Sequence, residues 1–83
     1  MFYVYILKSK NFQNKIYVGS TNNLINRIKQ HNDGENFSTK TYRPWILKYY
    51  EAYDKENLAR IREVGLKHHG NAIRQLKKRA GIL

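Results

Sequence analysis

The stretch "FYVYILK" at residues 2–8 constrains this chain more than any other. Six apolar residues follow one another without polar alternation, three of them aromatic and two β-branched. Such a run reads as a strand buried on both faces. A strand of that kind needs a covering layer on each side, and in 83 residues the layers must come from the same single domain. There is no cysteine to staple a small core or to build a thiolate metal cluster. Val, Ile, Leu, seven Tyr, three Phe and Trp45 must supply the core instead.

The rest of the chain supplies the layers. "SKNFQN" is a polar turn, and "KIYVG" at 15–19 reads as a second strand antiparallel to the first. "STNN" follows with helix-start chemistry, Ser20 or Thr21 being the expected N-cap. The helix then runs over 22–32 and stops at "NDG", where Gly34 suits a C-terminal turn. A long polar loop, "ENFSTKTYRP", leads to a third strand, "WILKYYEAY", with Asp54 as the cap of the next helix. That helix reaches Gly70, and a last helix, "NAIRQLKKR", sets Ala72, Ile73, Leu76 and Ala80 at helical spacing. The order β-β-α-β-α-α predicts an α+β fold, a small sandwich of antiparallel strands with helices on the sheet faces.

Charge narrows the partners. The net charge of +10 is self-repulsive in a compact chain, so a polyanion is the expected partner, nucleic acid ahead of an acidic membrane surface. No stretch approaches a transmembrane length, and "FYVYIL" lacks the flanks of a signal peptide, so a cytoplasmic location is expected.

Several residues could carry chemistry. Tyr3, Tyr5 and Leu7 share one face of the first strand, and Tyr17 and Gly19 one face of the second. A hairpin turning about residue 11 sets Tyr5 opposite Tyr17, with Gly19 clearing space beside them. On periodicity alone cross-strand aromatic packing is the leading reading of this pattern. Arg27 and His31 lie one turn apart on the border of the Leu24, Ile25 and Ile28 stripe, half dry, where they could meet a phosphate. They could also be an ordinary helix-edge pair, His31 favoured as a cation near the helix C-terminus. Only six carboxylates exist, several with capping or turn duties, so a two-metal acidic cluster is hard to assemble. A one-carboxylate metal site remains, at Glu63 or Glu51, although Arg60, Glu63 and Lys67 share a helical face and also read as a solvated ion-pair row. His68 and His69 diverge by ~100° on a helix and suit no common metal. No Walker loop, zinc spacing or nucleophile elbow occurs.

Together these residues are more specific than any one alone. "YVY" at 3–5, "YVG" at 17–19, Arg27 and His31 on the next helix, and "ARIRE" ending at Glu63 resemble the GIY-YIG nuclease family, above all its small stand-alone bacterial members. The resemblance covers residues 2–79 and implies a three-stranded antiparallel sheet flanked by helices. It implies that Tyr5 and Tyr17 surround an attacking water, with Tyr17 favoured as proton acceptor and Tyr5 the alternative. By the same resemblance Arg27 grips the scissile phosphate, His31 assists nearby, and Glu63 holds one Mg²⁺ or Mn²⁺. Tyr3 stands where the first motif has glycine, and Val18 where the second has isoleucine. Ser20 stands where some members carry lysine, so no catalytic lysine is carried over, and Asn71 matches the family's downstream asparagine only loosely.

The expected function is a metal-dependent endonuclease of DNA that is not sequence-specific, its targets chosen by DNA structure or, alternatively, through recruitment by a protein partner. Lys40 and Arg43 in the loop and Arg74, Lys77, Lys78 and Arg79 on the last helix would grip the backbone. The alternative is a DNA- or RNA-binding protein that uses the same basic surface without turnover.

Overall fold

A computed structural model describes residues 1–68 and 70–81; His69 and the side chain of Asn71 lie outside that description. Three strands, β1 (Phe2–Ser9), β2 (Ile16–Thr21) and β3 (Trp45–Tyr53), and three helices, α1 (Leu24–Asn32), α2 (Glu56–His68) and α3 (Gly70–Arg79), follow one another in the expected order β-β-α-β-α-α. The sheet is antiparallel with β1 in the middle, in the order β2-β1-β3. The unalternating run of β1 explains that place, because a strand apolar on both faces is most protected between two neighbours and two layers. Val4 and Ile6 look to one side, where Val18, Ala59, Leu66 and Leu76 close a core beneath α2 and α3. Tyr5 and Leu7 look to the other, where Trp45, Leu24 and Ile28 close a second core beneath α1. Each fully buried aliphatic or aromatic side chain contributes about 1.5–3 kcal/mol. Among the described residues no helix is long and apolar enough to cross a membrane.

Three local expectations change. Strand β2 does not end at Gly19, because Ser20 and Thr21 stay in the ladder opposite Val4 and Tyr3. The cap therefore moves to Asn23, whose side chain accepts from the Asn26 N–H, while Thr21 Oγ1 accepts from the Asn23 N–H. The β1–β2 register also differs: Tyr5 faces Gly19 and Tyr17 faces Leu7. The slip is two residues, so both tyrosines keep the same face and sit diagonally. At α2 the first helical bond runs from the Ala59 N–H to the Lys55 carbonyl, putting the cap at Lys55 rather than Asp54.

Strand β3 hides a bulge. Its odd residues from Trp45 to Tyr53 read as one alternating face, but the pairing with β1 shifts between Ile6 and Leu7. Trp45 and Leu47 therefore pack under α1, whereas Tyr49 and Tyr53 pack under α2. Glu51, between those two tyrosines, accepts hydrogen bonds from both hydroxyls and a two-pronged ion pair from Arg62.

The loop before β3 is tied down. Trp45 Nε1 donates to the Thr39 carbonyl, and its backbone exchanges two bonds with the Asn32 amide. Gly34 takes φ +79° just past the α1 C-cap, and the Arg43 guanidinium lies where a side chain at Gly34 would go.

Candidate active site

Strand β2 is a sheet edge with α1 on one face of the sheet and α2 on the other, and its residues Tyr17, Gly19 and Ser20 reach candidate residues from both layers. Gly19 makes the space. A methyl at this position would stand 2.5 Å from the Tyr5 hydroxyl and 2.9 Å from the Tyr17 ring. Without it the two tyrosine rings approach to 6.2 Å between centroids.

Tyr5 is fully buried, and its hydroxyl lies 2.9 Å from His31 Nε2. The other ring nitrogen of His31, Nδ1, lies 2.7 Å from Thr39 Oγ1. The expectation of a half-dry His31 is thus corrected: it is fully buried, with both nitrogens engaged. Thr39 Oγ1 can donate onward to the Asn36 carbonyl at 3.4 Å. One consistent chain follows, in which Tyr5 O–H donates to Nε2, Nδ1–H donates to Thr39, and His31 is neutral. Burial and then the nearby Arg27 charge lower the His31 pKa below its ordinary 6.5, in agreement with that chain. Arg27 itself lies one turn earlier on α1, half-buried, beside the Tyr5 hydroxyl. Burial, reinforced by Tyr17, raises the Tyr5 pKa well above the usual phenol value despite the Arg27 guanidinium. Burial thus opposes ionisation of the Tyr5 phenol.

Tyr17 is more open. Its ring packs 4.8 Å from His31 and 6.5 Å from Trp45, with the Lys67 ammonium 5.7 Å from its centre. Glu63 enters from α2. Ser20 Oγ donates to its Oε1 at 2.5 Å and Lys67 Nζ to its Oε2 at 2.8 Å. Burial would raise its pKa, but these two donors outweigh it and lower the carboxyl below the usual range. Arg27, Ser20, Thr21, Asn22, Glu56 and Arg60 line a cleft of about 220 Å³ that opens between the two helical layers.

The other basic residues divide. Lys77 lines a groove with Tyr17 and Lys67, whereas Arg79 stands near Tyr49 on the β3 side. Arg74, Lys78, Lys40 and Arg43 are exposed. Glu51, the other candidate carboxylate, is taken up by Arg62, Tyr49 and Tyr53, away from this cleft. Sequence reasoning missed Ser20 and Thr39 as neighbours of the site. The period-2 face shared by Val18 and Ser20 points toward α2 and could have signalled the first; nothing local signals Thr39.

The GIY-YIG catalytic domain model matches residues 1–78. The chain belongs to the GIY-YIG family. Among curated relatives of this GIY-YIG domain, a UPF0213 protein of Pediococcus pentosaceus is 39% identical over 80 residues, 93% of this chain and 82% of the relative. UPF0213 proteins of Staphylococcus haemolyticus and Clostridium perfringens are 42% and 43% identical, over 78% and 81% of this chain and 78% and 71% of their own length. These names state no activity. No solved structure matches the chain. Of the two tyrosines that the resemblance singles out, Tyr5 is fully buried and Tyr17 half-buried.

The buried histidine makes stability depend on pH in a defined direction. Because its folded pKa lies below 6.5, the unfolded chain takes up the proton first as pH falls. The contribution of neutral His31 is whole above pH 6.5 and is lost as pH falls from there toward the lower folded value. Urea midpoints measured from about pH 8 to about pH 5 should be flat above 6.5 and decline below it. In His31→Gln the decline over that window should shrink.

Proposed function

We propose that this GIY-YIG domain is a metal-dependent endonuclease that hydrolyses DNA phosphodiester bonds, selecting structure rather than sequence. The observation that carries the reading is the joint presence of Tyr17, Arg27 and an ionised Glu63 around a Tyr5–His31 pair at the edge of β2. Arg27 borders the cleft and can neutralise charge building on a bound phosphate. Tyr17, the more open of the two tyrosines, would take the proton of the attacking water once its own hydroxyl proton has passed to solvent, whereas burial opposes that ionisation at Tyr5. Tyr5 fills the other side, its hydroxyl oriented by His31 and Thr39.

The donor chemistry fits one hard divalent cation. Glu63 is ionised, about a fifth exposed, and each of its oxygens carries one hydrogen bond, so lone pairs are left for a ligand. Among the described residues no group of three or more His, Cys, Asp or Glu assembles, so Glu63 would share Mg²⁺ or Mn²⁺ with phosphate and water oxygens. When bound, the ion supplies Lewis-acid stabilisation of the phosphate. The net charge of +10 supports backbone binding that weakens steeply with salt.

The second reading, a DNA- or RNA-binding protein without turnover, draws on one feature: Ser20 and Lys67 already occupy both Glu63 oxygens. Incubating the protein with branched, nicked and plain duplex DNA, with Mn²⁺ or with chelator, separates the two. Cleavage with Mn²⁺ alone, fastest on branched DNA, is the expected result. Salt-sensitive binding to all three with no cleavage in either condition establishes the binder.

A further inference from the structure

Phe37 is 92% exposed, the most exposed large apolar side chain of the described residues, yet its loop is firmly held. Asn36 accepts from the Ser38 N–H and hydroxyl through its side chain, and from the Thr39 and Lys40 N–H groups through its carbonyl. Thr39, two residues on, is the buried partner of His31. The aromatic ring is thus presented to solvent from a turn pinned to the same histidine that orients Tyr5. A single exposed apolar residue needs no explanation by itself. Here, however, Phe37 walls a recess of about 430 Å³ with Gln30, Asn36, Glu35 and Arg27. Arg27 is the residue this recess shares with the cleft lined by Ser20, Thr21 and Arg60.

We infer that this recess takes an unpaired nucleobase, stacked on Phe37, from the nucleotide whose phosphate Arg27 holds. The chemistry matches on each wall. An aromatic face stacks on any base, and the amides of Gln30 and Asn36 can bond base edges. Glu35 accepts from exocyclic amino groups and repels phosphate, which keeps the backbone on the Arg27 side. A base paired inside a duplex cannot turn its face to Phe37, so the subsite selects DNA with unstacked or single-stranded nucleotides. The inference rests on the nuclease reading for its phosphate position, and binding without turnover tests it separately.

The experiment measures affinity by fluorescence anisotropy, in chelator, for a labelled blunt DNA hairpin and for the same hairpin with a single-stranded extension. Wild type should prefer the extended hairpin. Phe37→Ala should weaken the extended hairpin by roughly 5- to 150-fold, the span for one lost base–aromatic stack, and leave the blunt one unchanged. Phe37→Trp should restore the preference. Equal affinity of wild type and Phe37→Ala for the extended hairpin overturns the subsite alone, as does equal weakening on both hairpins. Failure of wild type to bind either hairpin overturns the subsite and the nucleic-acid reading together.

Discussion

Phenylalanine at position 17 should slow Mn²⁺-dependent cleavage by about 10²- to 10⁴-fold, the usual contribution of a positioned general base, and leave the melting temperature nearly unchanged. The ring contacts of Tyr17 with His31, Trp45 and Tyr5 need no hydroxyl, and among the described residues that hydroxyl makes no hydrogen bond. Tyr5→Phe should behave differently. It removes the O–H that His31 Nε2 accepts and leaves a buried nitrogen unpartnered, at a cost of about 1–3 kcal/mol. Its loss of cleavage should therefore come with a lower melting temperature. Glu63→Ala should remove cleavage at any Mn²⁺ concentration that sustains wild type, while salt-dependent DNA binding persists. Parallel rates and melts on the three variants check the assignment. Full activity in Tyr17→Phe would shift the proton acceptor away from Tyr17.

Much of this was legible in the sequence because the strands are marked by residue type. The β1 run announces two covered faces, and β3 was read with its bounds unchanged from Trp45 to Tyr53. The β1–β2 register differs from the expected one by two residues, since hairpin length depends on how residues 10–15 turn, which no single residue there dictates. Parity survived the slip, so the shared face of Tyr5, Tyr17 and Gly19 was right. The bulge in β3 was invisible because the odd-numbered residues stay apolar or aromatic across it, apart from Glu51. The burial of His31 was invisible for another reason. It depends on Tyr5 and Thr39, residues 26 back and 8 ahead, and a helical wheel contains neither. Local pattern finds faces; it does not find what closes over them.

The bulge has an energetic consequence that stands apart from the site. Because it turns Glu51 under α2, Glu51→Ala should lower stability by about 2–3 kcal/mol, toward the low side of breaking a buried ion pair because the pair is only partly covered. The carboxylate is 18% exposed and Arg62 34%. In a domain of this size that corresponds to a melting temperature roughly 10–20 °C lower. Three donors lose their acceptor at once: Tyr49, Tyr53 and Arg62. Glu51→Gln keeps an acceptor for one tyrosine and should lose less. The acid limb gives a second reading of the same contact. Burial acts to raise the Glu51 pKa, but the bonds from Arg62, Tyr53 and Tyr49 bring it down to about 2 from the ordinary 4.5. Its stabilisation is complete above pH 4.5 and drains as pH falls through that value toward 2. Wild type should therefore lose stability across this window, and Glu51→Ala, with nothing to protonate, should show a shallower decline. Cleavage below the melting temperature should be unaffected, because the cluster shares no hydrogen-bond partner with Glu63, next to Arg62 on α2, which is held by Ser20 and Lys67.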